Sequence, residues 1–188
     1  MKIEKGQYGY RNRRKRNHVI CILVVGAVIL LQLGARLIVK TEMTRTILTV
    51  TAILTVLPLA NVASPLLASW KYRTPDEDFY HRMKRYEDRC QMLYDLIVTT
   101  KEQIIPVDAA SVHPNGVCLY CPETKLDTAK AEAALNQMFA ANRLQLHIKI
   151  FRDEHGFVRR LDSLRPMSEY EDDGTVDYAV RTLKSQSM

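Results

Sequence analysis

Hydrophobic positions divide the chain into two regimes. Residues 19–69 are almost continuously apolar, whereas residues 70–188 mix apolar and polar positions as a water-soluble domain does. The first apolar stretch predicts a helical span over residues 19–39, with an uncharged centre and with Gln32 and Arg36 toward its far end, where a long side chain can snorkel. A second predicted span covers residues 46–70 and is more polar, carrying Asn61, Pro58 and Pro65. Small residues recur at helical spacing, Ala60, Ser64 and Ala68 on the second span and Gly26 and Gly34 on the first, which predicts a close contact between the two. A cleaved signal peptide is a poorer reading, because no small-residue cleavage pattern follows the first stretch and a second span comes at once.

Beyond the spans the pattern changes. Thr74-Pro75-Asp76-Glu77 reads as a helix start, with a capping residue, a proline at the first helical position and an acid in the first turn. Phe79, Met83, Tyr86, Cys90, Leu93 and Ile97 then recur at spacings of three and four, predicting one helix over 75–98 with an apolar face. That face packs on the domain's own sheet or serves self-association or a protein partner. Short runs on either side of Pro114-Asn115-Gly116 predict a hairpin of 103–113 with 117–121. A helix over 127–142 follows, then an alternating strand over 145–151, a turn at 153–156, a pairing strand over 157–161 and a last short helix bearing Val176, Ala179, Val180 and Leu183. The expected fold is therefore an α+β cytoplasmic domain, residues 71–188, attached to an N-terminal two-helix transmembrane hairpin, residues 19–70, with a basic tail over 1–18.

Charge refines this picture. The formal net charge is +6. All of that excess lies in residues 1–18, where Lys2, Lys5, Arg11, Arg13, Arg14, Lys15 and Arg16 face Glu4 alone. From Pro75 onward fifteen basic residues meet nineteen acidic ones, which argues against nucleic acid as a partner. Basic residues flank both outer ends of the spans and are sparse in the link between them, so both termini are expected in the cytoplasm of a multi-pass cell-membrane protein. The lipid bilayer is the one partner this pattern implies.

Two constellations are candidates for chemistry. Cys118-Leu-Tyr-Cys121 has the spacing of a zinc or redox pair, but residues three apart on a strand point to opposite faces, so the sulfurs diverge. Packing of small apolar residues is the alternative reading, and no cofactor is expected.

The second is Asp108-Ala-Ala-Ser-Val-His-Pro-Asn-Gly116-Val-Cys-Leu-Tyr-Cys121. It resembles the centre of nuclease-related domains of the restriction-endonuclease-like fold, which show an Asp, a strand, a turn ending in Gly eight residues on, and a strand ending in Glu-x-Lys. The resemblance implies metal-dependent phosphodiester hydrolysis, with two carboxylates on Mg²⁺ and a Lys orienting water. Here Cys121 stands at the Glu position and Glu123 at the Lys position, while Glu123 and Lys125 offer the pair two residues late. The domain is thus expected to have lost catalysis, or else to act through Asp108, Glu123 and Lys125. The whole chain also resembles a group of uncharacterised bacterial two-span membrane proteins, some labelled O-linked N-acetylglucosamine transferase-like. The residues themselves carry no repeat, phosphate-binding loop or Asp-x-Asp motif from which that activity follows. These readings leave three functions: a non-catalytic membrane-anchored adaptor, a nuclease-like hydrolase, and a thiol or zinc sensor.

Overall fold

The structure, a computed structural model, describes residues 4–100, 103–171 and 173–188. Two units emerge, one of residues 12–72 and one that joins the N-terminal residues up to Arg11 with Arg73–Met188.

The first unit is a helical hairpin. Helix α1 (Tyr10–Ile38) and helix α2 (Glu42–Ser69) are both long and apolar enough to cross a membrane. Their carbonyl ends are held by cations from within the hairpin. The Lys15 ammonium donates to Trp70 O at 2.8 Å and also to Tyr72 O, and Arg45 Nε donates to Val39 O at 2.7 Å. The expected close contact through small residues is not what forms. Ala52 and Leu66 are the buried residues of α2, whereas Ala60, Ser64 and Ala68 are exposed, and a methyl added at Gly26 or Gly34 would meet nothing within 4 Å.

The second unit is an α+β domain on one mixed four-stranded sheet in the order β1-β2-β3-β4. Its strands are β1 (Gln91–Thr99), β2 (Ile104–His113), β3 (Gly116–Tyr120) and β4 (Ile148–Phe151). The first three form an antiparallel meander, and β3 and β4 pair in parallel across α4 (Thr128–Ala141). The Asn115-Gly116 turn joins β2 to β3 as expected. Gly116 takes φ 132°, and a Cβ there would stand 2.9 Å from His147 O. One sheet face packs Leu96, Val107, Val117 and Ile148 against α4 and α6 (Thr175–Gln186). The other packs Met92, Tyr94, Ala109 and Cys118 against α3 (Glu77–Lys84) and α5 (Glu154–Asp162).

Two expected elements are corrected. The helix over 75–98 is in fact α3, a turn and β1. The three-and-four spacing is real, but Met92–Val98 is apolar on every side except at Asp95. A helix would expose half of those side chains, whereas a strand covered on both faces buries Met92 through Val98 entirely. The supposed helix face is thus split between two elements, and Phe79, Met83, Tyr86, Cys90, Leu93 and Ile97 are all buried within the domain. The strand expected over 157–161 is helix α5. Asp153 caps it by accepting from Gly156 N at 2.6 Å, and Phe157 and Leu161 sit one turn apart on its buried side.

Candidate functional site

Alternation along the two central antiparallel strands breaks at a matched place. On β1 the face toward α4 and α6 is built by Leu93, then Leu96 and Val98; on β2 it is built by Ile105 and Val107, then Ala110 and Val112. One residue is skipped in each strand. Tyr94 pairs with Ala109 and Leu96 with Val107, so the skipped residues, Asp95 and Asp108, face each other across an opening in the ladder. Asp95 takes φ 58°, a conformation Asp tolerates better than most residues.

Arg11 fills this opening. Its Nη2 donates to Leu96 O at 2.8 Å and to Val107 O at 2.6 Å, two carbonyls that flank the break. Its Nη1 donates to Asp108 Oδ1 at 2.5 Å and to Arg73 O at 2.9 Å. Nε lies 3.8 Å from Asp95 Oδ1, and neither atom has a hydrogen bond. Asp95 is held through its other oxygen, which accepts from Gly9 N at 2.8 Å and Thr74 Oγ1 at 2.9 Å. Arg11 is 3% exposed and Asp95 1%, so these two meet almost free of water, while the Asp108 side chain is half-buried beside them. Burial pushes both carboxyls above the usual Asp range, and the Arg11 charge opposes that rise.

The segment that delivers Arg11 is fastened along its length. Gly6 O accepts from Tyr94 N at 2.8 Å, with Gly6 at φ 89°, where a Cβ would stand 2.9 Å from Leu93 Cδ2. Tyr8 stacks on Tyr80 at 4.4 Å between ring centroids, and its hydroxyl donates to Pro75 O at 2.9 Å. Lys5 Nζ donates to Ser187 O at 2.6 Å, and the C-terminal residues lie on the same strand, with Met188 N donating to Ile97 O at 2.9 Å. Residues 4–11, read from the sequence as part of a basic tail, are therefore a strap along the edge of β1.

The sequence-predicted site residues come together only in part. Asp108 is engaged by Arg11, and by continuation of the β2–β3 register it comes next to Cys121. Glu123 is half-buried, with its backbone hydrogen-bonded to the Cys121 thiol, and Lys125 is exposed. Among the described residues no three of His, Cys, Asp and Glu gather as metal ligands. Cys121 lies in the core toward α4 and Cys118 in the core toward α5, the divergence expected of strand neighbours. Burial pushes the Cys118 and Cys121 thiols up, and Cys90 to about 12, so none is a ready nucleophile at neutral pH. His113 is fully buried and neutral. Its Nδ1 accepts from Asn115 N and its Nε2 donates to Arg165 O, both at 3.1 Å, and burial lowers its pKa.

Sequence reasoning missed Arg11 and Asp95. Asp95 was findable, because a lone carboxylate inside an apolar strand demands a partner. Arg11 was masked by the six other basic residues near it. No family model, no curated protein and no solved structure matches this chain.

Proposed function

We propose that this protein is a membrane-anchored, non-catalytic interaction protein whose α+β domain faces the cytoplasm. The observation that carries this reading is the engagement of Asp108. The carboxylate on which metal-dependent chemistry would depend is ion-paired with Arg11, Cys121 stands where a second carboxylate is needed, and Lys125 is exposed. Membrane anchoring is supported by the two long apolar helices and by the basic residues at their outer ends. Termini on one side are supported by the strap. Residues 4–11 and 73–188 belong to one folded unit, which supports an even number of crossings by the chain between them.

The adaptor reading is tested in cells by crosslinking the tagged full-length protein, followed by mild solubilisation and mass spectrometry. A stoichiometric partner is expected, and its capture by an Asp108→Asn, Glu123→Gln double variant should match the parent at equal abundance. Loss of the cellular phenotype in that variant, with abundance and partner capture unchanged, would overturn it.

A degenerate nuclease-like scaffold is the second reading. It is favoured by the register that sets Asp108 beside Cys121, eight residues before and five after Gly116. On this reading the purified protein does not cleave DNA or RNA with Mg²⁺ or Mn²⁺.

A further inference from the structure

We infer that two copies of this chain associate within the bilayer through the outer face of α2, with Asn61 paired to Asn61. The inference rests on the membrane reading above and adds the partner and the contact.

The face is defined by what α1 leaves uncovered. Ile47, Val50, Leu54, Leu57, Asn61, Ser64 and Ala68 are all exposed and recur at alternating spacings of three and four, the period that lets two helices wrap with a left-handed twist. Six of the seven are apolar or small. Asn61 is the exception, and it sits deep: eight residues before Ser69, about 12 Å along the axis at 1.5 Å per residue. In a hydrocarbon core of about 30 Å it lies well inside.

The other polar side chains of this helix are largely satisfied at home. Thr46, Thr49, Thr51 and Thr55 each donate to the carbonyl four residues earlier, and Ser69 donates to Pro65 O. No described residue hydrogen-bonds the Asn61 amide. Pro65, four residues on, has no N–H to give, so the Asn61 backbone carbonyl lacks its helical donor as well. Lipid tails supply neither donor nor acceptor.

A second copy answers this need without further assumption. A carboxamide carries both a donor and an acceptor, so it is complementary to itself, and two such groups related by a two-fold axis form a pair of hydrogen bonds. Every copy inserted the same way places Asn61 at the same depth. Ser64 and Ala68, one and two turns further along the seam, are small enough to let the backbones approach. The contact does not involve Ala52 and Leu66, the buried residues of α2.

The test uses full-length protein carrying donor or acceptor dyes, reconstituted in phosphatidylcholine–phosphatidylglycerol vesicles, with energy transfer followed as protein is diluted in lipid. The parent is expected to show transfer that falls on dilution. Asn61→Leu should shift the midpoint about tenfold toward higher protein density. Asn61→Gln, and Leu30→Ala on the exposed side of α1, should leave it near the parent's. Equal midpoints for the parent and Asn61→Leu, or no transfer at any density, would overturn the inference. Vesicle flotation separates the two levels of failure. Protein that floats but stays monomeric overturns only the pairing, whereas protein that does not float overturns the membrane reading with it.

Discussion

Arg11 holds open a gap between two strands and neutralises what that gap exposes. Replacing it with Ala leaves the buried Asp95 and the half-buried Asp108 without a cation and Leu96 O and Val107 O without that donor. The expected loss is about 3–5 kcal/mol, typical of breaking a buried pair by removing one partner. The loss should depend on pH with a definite sign. Both carboxyls already titrate above the unfolded Asp value, and without Arg11 they titrate higher still. A folded-state pKa raised in this way gives stability that is full below the unfolded value and is lost as pH rises through the folded one. The gap in melting temperature between parent and Arg11→Ala should therefore be narrower at pH 5 than at pH 7.5, as thermal unfolding at the two pH values will show. His113 has the opposite sign, since its lowered pKa withdraws stability as pH falls below its unfolded value, but it is common to both proteins and cancels in the comparison. Little of this was legible in advance. Asp108 stood out by spacing, and Asp95 could have been flagged by its apolar neighbours. The pairing of either with a residue more than eighty positions away depends on strap geometry that no local pattern encodes.

Sheet edges show why a four-stranded sheet this small need not recruit further strands. The β1 edge is covered by the strap at Tyr94 and by Ser187 and Met188 at Ile97. At β4 the outward groups are met by side chains of α4. Asn136 accepts from Ile148 N at 2.7 Å and donates to Ile148 O at 3.1 Å, while Glu132 accepts from Ile150 N at 2.8 Å. Asn136→Ala strips both bonds from Ile148, and a loss of about 1–3 kcal/mol is expected. The bared edge should also make aggregation on heating depend on concentration, which light scattering will follow. A partner that binds by adding a strand is correspondingly disfavoured. At this scale the sequence was informative wherever periodicity and flanking signals agreed: the two apolar helices, the Asn-Gly hairpin, α4 and α6. It misled where one spacing served two structures. The three-and-four rhythm from Phe79 to Ile97 fits a helix face and equally a short helix running into a strand buried on both sides. The Phe157–Leu161 run fits a strand by composition, and only the Asp153 cap marks it as a helix.

The folded domain is not contiguous in the chain, because residues 4–11, which precede the apolar hairpin in sequence, belong to it. A fragment of residues 73–188 alone lacks the Arg11 cation, the Gly6 bond to β1 and the Tyr8 stack on Tyr80. It is expected to melt below the full-length protein, with rapid hydrogen exchange along β1, and a synthetic peptide of residues 4–11 added in excess should raise that melting temperature and slow the exchange. A fragment that melts cooperatively at the full-length temperature, indifferent to the peptide, would show the strap to be ornamental.

Because the strap is made first and its receptor last, the domain cannot close until both apolar helices have been synthesised and Arg11 and the nascent sheet share one compartment. If the hairpin spans a bilayer as proposed, a chain in which only one helix had inserted would hold its N-terminus across that bilayer from Asp95 and Asp108. That chain would keep an open ladder and two unneutralised carboxylates. Under the proposed membrane reading, closure of the α+β domain on Arg11 would thereby report that both helices had inserted.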